Sequence, residues 1–233
     1  MDDILREVIY IPSKKIKKNH IYFGLLLFTN FQGRTLMESD EWFIDGCFGN
    51  LPKFCKQVVQ INCIHPMTKI TIPSAWIIIN SKKEILYSRM FEALKFSLNT
   101  LFHYDFQNIK KRIMSDMEIS LQSIEKSFPK SILKSCFFHY VKNLWEHSKK
   151  LGLKKKNNYK WLSIFISNFK IAVHIKDKNL QTYLVNQVEK QFIERNHFSL
   201  DEICLVKLGE FFTYIKKTYF DQNSFFSRYI DCR

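Results

Sequence analysis

Trp42-Phe43-Ile44-Asp45-Gly46-Cys47-Phe48 reads as a short buried strand with one carboxylate in it. Trp, Phe and Ile favour strands, and Asp is depleted from them. A charged group inside an apolar run is costly unless something pairs with it. Two readings stand side by side. Asp-Gly is a common turn dipeptide, so Asp45 and Gly46 can open a turn. Alternatively the strand carries on into Cys47 and Phe48, and Asp45 is a carboxylate held on a central strand to bind a metal ion.

Two more strand-like runs follow, Phe54–Ile64 and Ile70–Asn80, joined by the short Pro-bearing stretches 49–53 and 65–69. Short joins fit an antiparallel meander. The period then changes. Tyr87, Met90, Phe91, Leu94, Leu98, Leu101 and Phe102 fall on one face of a helix over 83–102, a stripe expected to pack a core. A strand at 109–115 runs into a helix marked by Met117, Leu121, Ile124 and Phe128 and stopped by Pro129. A further strand at 131–137 leads into a helix faced by Phe138, Val141, Leu144, Trp145 and Leu151 and closed by Gly152. The order β-β-β-α-β-α-β-α predicts an α/β fold, a mixed sheet with helices on its faces, because βα units require parallel pairing.

The flanks read differently. Residues 1–40 form an N-terminal flank with a basic cluster at Lys14, Lys15, Lys17 and Lys18, a core strand or packed flank at Ile21–Phe28, and a polar connection over 32–41. The basic-then-apolar run at 14–29 loosely imitates a signal peptide, but no small-residue cleavage site follows it. Beyond the basic stretch Lys154-Lys155-Lys156 come three helical patterns, at about 159–175, 177–196 and 199–219, with no strand signal. The expected division is therefore 1–40, 41–152 and an all-helical 153–233.

Composition narrows the classes. The chain has 233 residues, 46% of them hydrophobic and 22 of them Phe, enough to bury a sizeable core and to exclude global disorder. The formal net charge of +14 favours a polyanionic partner, with a merely solubilising lysine surface as the plainer alternative. Six dispersed cysteines, none in Cys-x-x-Cys spacing, argue against a zinc ribbon or disulfide scaffold and for a reducing intracellular compartment. No apolar run is long enough to span a bilayer, so no membrane partner is expected.

Chemistry concentrates on two carboxylates. Asp45 lies in the first strand of the meander, and Asp116, 71 residues later, at the end of the fourth strand. Sites in α/β sheets lie at the carboxyl ends of parallel strands. Two carboxylates brought together there would repel, and a divalent cation such as Mg²⁺ or Mn²⁺ is the usual remedy. A plainer role for Asp116 is a helix N-cap. Cys136 and His139 stand three apart at the next strand-to-helix junction, too few to make a zinc site alone. Lys149, Lys150, Lys154, Lys155 and Lys156 could contact phosphates without reading sequence.

Taken in order, these blocks resemble a family. The run 42–48 with Pro52 and Phe54 is similar to the first block of Mutator-like element (MULE) transposases. Ile113-Met114-Ser115-Asp116-Met117-Glu118, then Phe128-Pro129 and Cys136-Phe137-Phe138-His139, resemble their second block. The resemblance covers about residues 40–152. It implies an RNase H-like core of β-β-β-α-β-α-β order and a DNA transposase that cleaves and joins phosphodiesters with Mg²⁺ (or Mn²⁺). Asp45 matches the first catalytic and metal-binding acid, Asp116 the second, and Glu118 an acidic position beside it. Cys136 and His139 match a supporting Cys-x-x-His element, and the helical segment from 153 an insertion. DNA is the implied partner, with a second copy of the chain as another candidate, and the nucleus is the implied location. The family pattern also expects a third acid, a Glu in an Asn-Asn-x-x-Glu-like setting, which this sequence lacks; Glu210, Asp221 and Asp231 are substitutes without supporting context. Nor do the cysteine spacings supply the family's N-terminal zinc module. The expectation is a truncated copy, either active as a nuclease or reduced to a DNA-binding or interaction module. A third, weaker reading is an RNase H-like nuclease acting on RNA or hybrids.

Overall fold

The computed structural model describes residues 4–12, 21–47, 51, 53–103, 110–116, 120–153, 159–196 and 201–221. In chain order the elements are β1 Ile4–Pro12, β2 Ile21–Thr29, α1 Asn30–Glu38, β3 Glu41–Cys47, β4 Gln57–Ile64 and β5 Thr71–Ile79. There follow α2 Glu84–Phe102, β6 Arg112–Ser115, α3 Ser120–Ser127, β7 Ile132–Ser135 and α4 Phe137–Lys150. The chain continues with α5 Tyr159–Ala172, α6 Lys178–Asn196, α7 Glu202–Ile215 and a π-helical turn Lys216–Phe220. It divides into two compact units at Leu133/Lys134, inside β7.

The first unit is built on a mixed sheet of order β1-β2-β5-β4-β3-β6-β7. The expected meander is present: β3 pairs antiparallel with β4, and β4 with β5. β6 joins β3 in parallel, as a strand reached through a helix must. Alternation fixes which face is inward. In β4, Gln57, Val59, Ile61 and Cys63 are buried while Val58, Gln60, Asn62 and Ile64 are half-exposed. The helical stripe of α2 is core through Leu98, with Tyr87, Met90, Phe91, Leu94 and Leu98 essentially inaccessible, whereas Leu101 is exposed and Phe102 half-exposed. Each of the buried side chains contributes roughly 1.5–3 kcal/mol by leaving water. Trp42 meets Phe128 edge-on at 5.3 Å, and its indole N–H donates to the Leu36 carbonyl at 3.0 Å.

In the first 40 residues the strand expected at Ile21–Phe28 is present as β2, and β1 and α1 stand beside it. β1 and β2 form an antiparallel hairpin, and β2 pairs with β5. The polar stretch expected to be a connection is mostly α1. A reciprocal cap starts that helix: the Gln32 N–H donates to Thr29 Oγ1 at 3.3 Å, and the Thr29 N–H donates to Gln32 Oε1 at 2.8 Å. Its short apolar face hid it, since only Gly33, Thr35 and Leu36 are buried.

The second unit, from Lys134, holds α4–α7 and the π turn, with no strand among its described residues after β7. The three helical patterns expected after residue 153 are α5, α6 and α7. Their core is aromatic: the Phe165 ring lies 4.9 Å from Phe169, 4.9 Å from Phe192 and 4.7 Å from Phe212. Tyr140 stands edge-on to Tyr219 at 4.8 Å and donates its hydroxyl to the Phe169 carbonyl. Asp177 accepts the Asn179 and Leu180 N–H groups before α6, and Asp201 accepts the Cys204 N–H at the start of α7. His147 stacks face to face on Tyr214 at 3.6 Å, and burial pushes its pKa down.

Candidate acidic site at the end of the sheet

β3 does not turn at Asp45-Gly46. It continues, with Asp45 opposite Gln60, Gly46 opposite Val59 and Cys47 opposite Val58. Asp45 is exposed, and its Oδ1 accepts the Gly46 N–H at 2.8 Å. The parallel register pairs Ile44 with Ser115, which sets Asp45 and Asp116 one position further along adjacent strands. Both carboxylates line one depression of about 220 Å³, open to solvent, together with Ile44, Gly46, Gln57, Val59 and Ser115. The two acids picked from the sequence are thus brought together at the carboxyl ends of parallel strands, where α/β sheets place their sites.

A divalent cation suits these donors. The two carboxylates are hard oxygen ligands, and no cysteine is among the described residues that line the depression. Mg²⁺ binds through one or two carboxylates and fills its remaining positions with water and substrate phosphate. Gln57 is held by Tyr87, whose hydroxyl donates to Gln57 Oε1. Among the described residues no group of three or more His, Cys, Asp or Glu could hold a metal ion, so the pair has no third protein acid there.

Glu118, Lys154, Lys155, Lys156 and Asp231 lie outside the described residues. Cys136 is the N-cap of α4 and makes no side-chain cap bond; its carbonyl accepts the Tyr140 N–H at 3.0 Å. His139, in the same first turn, is half-buried with Phe138 edge-on at 5.5 Å. Lys149 and Lys150 are exposed in the last turn of α4, where cations complement the helix dipole. Glu210 and Asp221 are exposed positions of the helical unit.

Sequence reading missed two buried polar residues: Gln57, which lines the depression, and Lys111, at the opposite end of β6 from Asp116. Gln57 is 3% exposed although polar, and parity with Val59, Ile61 and Cys63 would have placed it inward. Lys111 is also 3% exposed. Its ammonium donates to the Met37 and Ser39 carbonyls, each at 2.5 Å, at the C-terminal end of α1. Burial pushes its pKa down, and Asp40 partly opposes that. Nearby, burial pushes the Cys63 thiol up to about 12.

No family model, curated protein or solved structure matches this chain. Among the described residues no helix is long and apolar enough to cross a membrane.

Proposed function

We propose that the chain is a nucleic-acid phosphodiester-cleaving protein of the MULE transposase type, with an RNase H-like core and Asp45 and Asp116 as its metal-holding acids. One observation carries the reading: two carboxylates from strands far apart in sequence line a single depression at the carboxyl end of the sheet. The element order β3-β4-β5-α2-β6-α3-β7 is the order that the resemblance implies. When bound, Mg²⁺ supplies an activated water and charge to stabilise the leaving oxygen. The chain's own part is positional. β3 and β6 bring Asp45 and Asp116 to one depression, which Ser115 also lines. The basic surface holds phosphates, consistent with the net charge of +14.

A second reading is a binding module without cleavage. The observation favouring it is that no third acid joins the pair among the described residues. One experiment separates the two: nicking of end-labelled duplex DNA in Mg²⁺ or Mn²⁺ by the chain, by Asp45→Asn and by Asp116→Asn. The expected result is metal-dependent nicking that falls to background in both variants. Equal background from all three proteins sinks the cleavage reading and leaves binding.

A further inference from the structure

The sheet end that carries Asp45 and Asp116 also gathers cations and aromatic rings that cleavage does not use. The register brings the start of β4, the end of β5 and the start of β2 to this end. Specific contacts tie their flanking segments to this end of the sheet, Phe54 on the face of Phe23 and Lys83 on the opposite face with Tyr22. The Lys56 N–H donates to the Ile79 carbonyl at 2.8 Å, which seats residues 53–56 beside the end of β5. The Phe54 ring lies 6.0 Å from the Phe23 ring in β2. Asn80 Oδ1 accepts the Phe23 N–H at 3.0 Å. Lys83 Nζ stands 4.8 Å from the centroid of the Tyr22 ring.

This end of the sheet is charged as well as aromatic. Lys53, Lys56, Lys82 and Lys83 are exposed. The acid adjoining them in sequence, Glu84, is engaged by Lys126. Phe54 is 64% exposed, three positions from Gln57, which lines the acidic depression. An exposed ring alone means little. A ring flanked by two lysines is the pattern that takes a phosphate backbone with unstacked bases. A duplex offers phosphates but keeps its bases paired. An acidic peptide satisfies the lysines and leaves the ring without a matching face.

We propose that Lys53, Phe54 and Lys56 form a seat for single-stranded nucleic acid, with Phe54 stacking a base and the lysines holding its phosphates. The seat leads a frayed strand toward Asp45 and Asp116. It rests on the cleavage reading only for what lies at that end of the track.

The test is fluorescence anisotropy of the full chain in EDTA with labelled oligothymidylate of about 15 nucleotides and with a blunt duplex of equal length. Phe54→Ala is expected to weaken single-strand binding about tenfold and to leave duplex binding nearly unchanged. Phe54→Trp retains the stacking face, so it should keep the affinity and show indole quenching on binding. The Lys53→Ala/Lys56→Ala double variant should flatten the salt dependence by about 0.7 in slope for each phosphate it no longer neutralises. Equal affinity for single strand and duplex, indifference to Phe54→Ala, or equal competition by polyglutamate each overturns the proposal. EDTA removes cleavage from the readout. A chain that never nicks can therefore still show the seat, and a chain that nicks with Phe54-independent binding loses this inference alone.

Discussion

Lys111 shows how one side chain can be misread from its neighbours. In the run Lys110-Lys111-Arg112 it looks like part of a basic surface cluster, and the two flanking residues are exposed. Parity settles it: Lys111, Ile113 and Ser115 point one way, and all three are buried. An ammonium on the last carbonyls of α1 is favoured by the helix dipole and donates to carbonyls of a helix end, which have no partner within the helix. Lys111→Met keeps most of the stem and removes the donor. We expect it to cost about 2 kcal/mol, measured by urea unfolding. Gained stability would mean that desolvating the ammonium outweighs its two bonds, as happens when some buried charges are replaced by apolar groups.

At the scale of elements, α1 is docked by a glycine. A Cβ on Gly33 would lie 2.7 Å from the Phe102 ring and 3.1 Å from the Phe28 ring. Alanine is the better helix former by roughly 1 kcal/mol, so propensity alone predicts that Gly33→Ala stabilises. Two packed aromatic rings have little room to retreat, and overpacking costs about 1–3 kcal/mol. We expect the steric term to win, with a net loss of about 1 kcal/mol and a lower thermal midpoint. Most other elements were legible because their apolar residues repeat at clear periods, as in β4 or along α2. α1 was not, since its buried face is three small or medium residues. The acid pair was legible because a strand reached through a helix must pair in parallel, which aligns the carboxyl ends. The Lys53–Lys56 seat was not, because no local pattern announces the β2–β5 pairing that brings Phe23 against Phe54.

For the whole molecule, a shared cation would act as a ligand of the native sheet. Saturating Mg²⁺ should raise the unfolding free energy, by about 2.7 kcal/mol at a hundredfold excess over the dissociation constant. Asp45→Asn and Asp116→Asn should each abolish that shift in thermal or urea unfolding at constant ionic strength. A shift that persists in both variants places the cation elsewhere. The parallel pairing of β3 with β6 has a consequence in time. Its register partners stand 71 positions apart, whereas the β1–β2 and β4–β5 hairpins close locally. Non-local pairings form late, after nearby contacts have shortened the search. The two acids therefore meet only when the sheet is nearly finished. On the proposed reading, a nascent or half-folded chain would offer its basic surface to a polyanion before the acid pair is assembled.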